Sequence, residues 1–320
     1  RLPAGALHQF APLDTPQAVA RFLERWRPDL AVFAESELWP NLVLAAKAAG
    51  ARLALVSAKL SARSLSGWRR APRAARRVLG AFDLVLARDA QAAAGLRSLG
   101  AHVDGLADLK FGAATLPVDE TALAALTAAR RGPLILAAST HPGEDGPILA
   151  AFAAARKGAS GALVIAPRHV ERGGAVADLA RGLGLSAGLR SQGAGAGDVE
   201  VLVADTLGDL GLWYRLADLA VVAGSLVAGV GGHNPLEPAR LGCPFVSGPH
   251  VENWPLYDEL AAAGATRLVT VPDLPALFGD ALRPAKADLR AMACRAGDVV
   301  AVRDAEARAA LPRILALLDR

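Results

Sequence analysis

Eleven residues, GVGGHNPLEPA from Gly229 to Ala239, hold three glycines, a histidine, an asparagine, two prolines and a glutamate. Glycines at that density let backbone N–H groups approach a ligand closely, and His233 and Glu237 add polar groups that a plain turn does not need. The preceding run ADLAVVAGSL, Ala217 to Leu226, reads as a short buried strand ending in Gly and Ser, here Gly224 and Ser225. Asn234 then stands at a helix N-cap position with Pro235 at the first helical position, and Gly242-Cys243-Pro244 closes the segment. That order turns Gly231, Gly232 and the positive end of a helix toward a ligand, which suits a phosphate. An ordinary strand-to-helix turn is the alternative.

Three further stretches have the right composition for a site. ASTHPGED, Ala138 to Asp145, ends a strand with Ser139, Thr140 and His141 placed to reach a ligand, although a helix N-cap with acidic residues in its first turn would look the same. APRHVER, Ala166 to Arg172, sets Arg168 and His169 just after a strand, and arginine grips phosphate by a two-pronged hydrogen bond. FAESELWPN, Phe33 to Asn41, puts Glu35 and Glu37 at a strand end ahead of Trp39 and Pro40. Substrate contact and helix-start electrostatics explain those carboxylates equally well.

Such clusters need a scaffold that gathers them, and the chain offers one. Apolar runs at 29–35, 51–57 and 82–88 alternate with helical stretches, and the pattern resumes at 133–139, 161–167, 199–204, 217–224, 244–248 and 267–271. Alternation at that spacing predicts α/β units with parallel sheets. In such sheets ligands bind beyond the carboxyl ends of the strands, where the polar clusters fall. The expected organisation is a first Rossmann-like domain over 1–111, a linker over 112–131, a second Rossmann-like domain over 132–304 and a C-terminal helix over 305–320, with the two domains facing a cleft.

Composition narrows the function classes. The chain has 320 residues, 53% of them hydrophobic, and a net charge of +4. Its two cysteines, Cys243 and Cys294, exclude a disulfide framework and fit a reducing compartment. The six histidines form no HExxH or other short metal spacing, so metal dependence is not expected. No signal peptide and no apolar run of eighteen residues is found. Charge is instead concentrated locally. Between Glu37 and Asp83 there is no acidic residue but nine basic ones, Lys47, Arg52, Lys59, Arg63, Arg69, Arg70, Arg73, Arg76 and Arg77. Trp68 and Leu65 interleave with them, a pattern suited to an anionic membrane surface. Nucleic acid is disfavoured as partner, because no RNA- or DNA-binding signature accompanies the basic run.

Taken in order, ESELWPN, KLSARS, DLKF, ASTHPGE, PRHVER and GGHNPLEPA resemble the Kdo transferases of lipopolysaccharide synthesis, which move 3-deoxy-D-manno-octulosonic acid (Kdo) from CMP-Kdo to a lipid A precursor. The resemblance implies a GT-B fold and an inverting, metal-independent transfer without cofactor. It places the CMP donor among Ser139, Thr140, His141, Arg168, His169, Ser225, Gly231, Gly232, His233, Asn234 and Glu237, with the phosphate at the turn before Pro235 and ribose hydroxyls at Glu237. It places the acceptor lipid near Lys59, Arg63, Arg69 and Arg70, at the cytoplasmic face of a bacterial inner membrane. The family's general base is a glutamate in a glycine-containing loop, expected upstream of Arg1, as is a membrane-anchoring segment. Residues 1–320 are therefore expected to bind CMP while transferring Kdo weakly, with Glu35 and Glu37 as supporting catalytic candidates. The alternatives are another GT-B sugar-nucleotide enzyme, such as an epimerase, and a non-catalytic module that binds nucleotide and acidic lipid.

Overall fold

The computed structural model describes residues 5–156, 160–283 and 287–319. The chain forms two compact units: residues 1–113 with 303–320, and residues 114–302. In the first unit β1 (Leu30–Ala34), β2 (Arg52–Ala58), β3 (Leu84–Ala87) and β4 (Gly105–Leu106) form a parallel sheet in the order β1-β2-β3-β4. Leu53, Ala54, Leu55 and Val56 of β2 are all buried, as an internal parallel strand covered on both faces requires. The helices Ala62–Arg69 and Pro72–Leu79 follow β2, and the second turns Ala75, Val78 and Leu79 inward while its arginines face solvent.

In the second unit β5 (Leu134–Thr140), β6 (Ala162–Pro167), β7 (Ala187–Leu189), β8 (Val201–Val203), β9 (Leu219–Val222) and β10 (Phe245–Ser247) form a parallel sheet in the order β10-β9-β5-β6-β8-β7. Pairing runs Ala138↔Ala166 between β5 and β6 and Ala138↔Val222 between β5 and β9, so the loops after these three strands emerge side by side. Ile135, Leu163, Val201 and Leu219 lie in one buried core with Ile148 and Phe152 of the helix Asp145–Ala155.

Several expectations are corrected. Residues 112–131 are not a bare linker: they hold the helix Glu120–Ala129, whose N-cap Asp119 accepts the Thr121 and Ala122 N–H groups. The C-terminal helix runs over Ala287–Leu315 rather than beginning at 305, and the unit boundary at Val302/Arg303 falls within it. The run at 267–271 makes only an isolated bridge, Ser247 to Leu268, whereas β4 and β7 are additional edge strands.

Backbone strain marks the carboxyl ends of the strands. Glu35, Ser57 and Ser139 take φ values of 57°, 49° and 60°, a region that costs residues with a Cβ about 1–3 kcal/mol. The β2/β3 and β5/β6 pairings shift register at those points, between Leu55 and Ala58 and between Ala138 and Thr140. Bulges of this kind re-aim side chains beyond a sheet edge.

Candidate functional site

In the second unit the site is organised by a residue whose burial the sequence does not disclose. Glu144, wholly buried at the start of the helix Asp145–Ala155, accepts four backbone N–H groups. His141 and Gly224 donate to Oε2 at 2.9 and 2.8 Å, and Ser225 and Leu226 donate to Oε1 at 3.0 and 2.9 Å. Two oxygens rich in lone pairs match this cage of four donors. The carboxyl group ties the turn after β5 to the loop after β9.

Gly224 makes the next step possible. Its φ is +71°, and a Cβ there would stand 2.7 Å from His233 Cδ2 and 2.8 Å from His233 Nε2. Only glycine lets that ring lie against the loop. Gly232 donates its N–H to the Gly224 carbonyl at 2.8 Å, which sets His233 on its way. The outcome is a His141 Nε2 to His233 Nε2 hydrogen bond of 2.9 Å, with the ring planes 17° apart. The His169 ring stands edge-on to His141, 6.2 Å between centroids. Arg168 lies exposed at the same rim, its N–H bonded to the Thr140 carbonyl at 3.0 Å. Arg172 also donates to that carbonyl, at 2.9 Å, and is ion-paired with the buried Asp145.

Burial holds the His141 and His233 imidazoles below the usual histidine pKa; for His141 the neighbouring His169, Arg172 and Arg168 add to this, for His233 the neighbouring His141 and Arg168, while Glu144 opposes it at both. Ring N–H groups beside the exposed Arg168 guanidinium are of the chemistry that can meet an oxyanion. Glu237, half-buried, accepts from Asn234 Nδ2 at 3.3 Å, and burial pushes its carboxyl above the usual range. Such a carboxylate gains from hydroxyl donors.

His141, His169 and His233 lie together with Arg168 nearby, and Ser139, one residue before the end of β5, takes its strained conformation there. Thr140 and Ser225 do not offer contacts. Both are wholly buried, and the Ser225 hydroxyl is committed beneath the loop, bonded to the Val222 carbonyl at 2.9 Å and accepting Gly248 N–H at 2.7 Å. The turn is also not an open helix terminus. The helix after Pro235 is only Leu236–Arg240, and its Leu236 N–H is taken by Asn234 Oδ1 at 3.0 Å. Gly231 packs so closely on Asn253 that a Cβ would meet Nδ2 at 2.5 Å, so it fastens the loop to the HVENWP segment, a support not singled out from sequence.

In the first unit Glu35 lies at the end of β1 between two lysines, 2.9 Å from Lys59 Nζ and 3.2 Å from Lys110 Nζ. The Lys59 hydrogen bond, reinforced by Lys110, holds its carboxyl below the usual range against the opposing effect of burial. Glu37 is exposed and accepts from Trp39 Nε1 at 2.6 Å. Arg63, Arg69 and Arg70 are exposed on and just after the helix Ala62–Arg69, where Arg69 reaches Ser98 Oγ at 3.4 Å. Among the described residues no group of three or more His, Cys, Asp or Glu could hold a metal ion, and no helix is long and apolar enough to cross a membrane.

Residues 1–113 match the family model of 3-deoxy-D-manno-octulosonic-acid transferases. The transferase of that name from Bordetella pertussis is 38% identical over 276 residues, 82% of this chain and 64% of that protein. The chain thus spans somewhat under two thirds of that relative's length. Among solved structures, the C-terminal CMP-Kdo binding domain of WaaA from Acinetobacter baumannii is 28% identical with a TM-score of 0.52, covering 56% of this chain and 96% of that one. A UDP-GlcNAc 2-epimerase from Neisseria meningitidis, 14% identical with a TM-score of 0.56 over 90% of this chain and 78% of that one, shares the fold alone. The two parallel α/β units are those of the GT-B class, and over most of its length the chain resembles the 3-deoxy-D-manno-octulosonic acid transferase family.

Proposed function

We propose that the second unit binds CMP-Kdo and that the protein serves inverting, metal-independent transfer of Kdo to a lipid A precursor. The observation that carries this reading is the gathering of His141, His233, Arg168 and His169 beyond β5, β6 and β9 in a chain similar to a CMP-Kdo binding domain. A CMP phosphate at the imidazoles and Arg168 would have donors ready for the charge that grows as the bond to the sugar breaks. Glu237, raised by burial, would take ribose hydroxyls.

The exposed Arg63, Arg69 and Arg70 would meet the phosphates of the acceptor and the anionic surface of the cytoplasmic leaflet of the inner membrane. Lys59 contributes less free charge, being paired with Glu35. Glu35 itself is a poor proton acceptor, because two lysines stabilise its ionised form. We read it as an anchor for those lysines rather than as the base. The test is to incubate residues 1–320 with CMP-Kdo and a tetraacylated lipid A precursor, following CMP release and the anomeric configuration of any product. Inverted product, or CMP binding with slow transfer, fits the reading. Retained configuration, or use of a UDP-sugar in its place, refutes it.

A further inference from the structure

The Nε2 to Nε2 hydrogen bond at 2.9 Å between His141 and His233 constrains how many protons the two rings carry. One nitrogen must donate and the other accept, so a single proton lies between them. The donor ring keeps a lone pair on Nδ1, and among the described residues neither Nδ1 has a hydrogen-bond partner. That lone pair can take one proton and leave the bond intact. A second would remove the acceptor and break it.

The surroundings determine when the proton arrives. Glu144, its carboxyl group held by four N–H donors, acts on both rings in favour of the charged imidazole. Arg168 and His169 face the pair from the loop after β6, as does Arg172, which is also ion-paired with Asp145. From the helix Leu256–Ala262 comes only Tyr257, whose hydroxyl donates to the His233 carbonyl at 3.2 Å and whose pKa burial raises, so it brings no charge. Glu237 lies one turn beyond His233 and is turned to Asn234. Empty, the site has cations and burial against a charged imidazole and one carboxylate in favour. A doubly charged oxyanion at the rim reverses that balance.

We infer that the His141–His233 pair is a one-proton store that fills as an oxyanion binds beside it and empties as the anion leaves, with Glu144 as its fixed counter-charge. For the identity of the anion, a nucleotide phosphate, this rests on the donor-site reading; the proton store itself does not. An opposite charge within about 4–6 Å typically moves a pKa by about 1–3 units, toward the charged imidazole and against the lowering by burial. Binding then weakens about tenfold for each pH unit between the pair's values in the free and the anion-bound protein, and levels off above the latter.

The test is calorimetric titration of residues 1–320 with CMP and, separately, with sulfate at pH 7.5 in buffers of different ionisation heats. Sulfate does not titrate there, and a CMP phosphate could only release a proton, so any uptake comes from the protein, and the substitutions separate the pair from the neighbouring His169. The expected result is net uptake, up to about one proton per site, lost in His141→Asn and in His233→Asn with circular dichroism unchanged. Binding without uptake, or uptake that survives both substitutions, overturns the inference. Sulfate binding with uptake while CMP fails to bind would sustain the proton store and refute the nucleotide reading. Failure of both anions to bind would overturn both.

Discussion

Replacing Glu144 probes the element on which the whole site hangs. In Glu144→Ala the Gly224, Ser225 and Leu226 N–H groups, all in buried residues, lose their only side-chain acceptor, and the His141 N–H loses its own. A buried donor without a partner costs about 1–3 kcal/mol, so three of them set a range of about 3–9 kcal/mol, at the low end if water enters the void. Domain stability is about 5–15 kcal/mol in total, so the second unit would be severely weakened. In Glu144→Gln one oxygen still accepts two N–H groups while the amide opposes the other two, for a loss of about 2–6 kcal/mol. Urea unfolding by circular dichroism reads the loss, and amide exchange at Gly224, Ser225 and Leu226 localises it. A loss below about 1 kcal/mol in Glu144→Ala, with those amides still protected, would refute the argument.

Other substitutions separate binding from folding. Glu237→Gln removes a carboxylate that burial disfavours, so thermal stability at pH 7 is expected to hold or rise while CMP affinity falls in calorimetry. Gly232→Val places a β-branched side chain at φ +81° within 3.1 Å of Val251 Cα, which is expected to displace His233 and weaken CMP binding at least about tenfold in the same assay. Because His141 and His233 are held below the usual histidine value of about 6.5, the unfolded chain binds more protons on acidification. Stability of the second unit is therefore expected to fall as pH drops below about 6.5 toward the lowered folded values, and His233→Asn should flatten that slope in thermal melts. Changing Arg69, Arg70, Arg73 and Arg76 to Gln is expected to reduce sedimentation with anionic vesicles strongly, at about 1 kcal/mol per cation, and to spare CMP binding.

The internal strands were legible because each is a continuous apolar run, and the run at 51–57 maps onto β2 within a residue. β7 escaped because Ala187-Gly188-Leu189 carries no β-branched or aromatic side chain, and β4 because two residues make no pattern. The helix Glu120–Ala129 looked like linker since none of its residues is buried and no apolar stripe stands out. At the site, the polar residues after β5, β6 and β9 were legible as neighbours once a parallel sheet was assumed. The burial of Glu144 was not. Its acidic position in HPGED reads as helix-start electrostatics, and three of its four donors come from residues 80 to 82 positions further on. The Glu35 to Lys59 pair was hidden for the same reason, since each residue alone looks like a solvent-facing group at a strand end.

In the function proposed, the loops after β5, β6 and β9 form a cytidine nucleotide site gripped by His141, His233 and Arg168. Its most direct test is calorimetric titration of residues 1–320 with CMP and with UDP, in chelator, for the natural sequence and for Arg168→Gln and His233→Asn. The account predicts CMP binding that each substitution weakens by about tenfold or more, as loss of a charge-assisted hydrogen bond would, with UDP bound far more weakly. UDP binding as tight as CMP, or CMP binding indifferent to both substitutions, would contradict it.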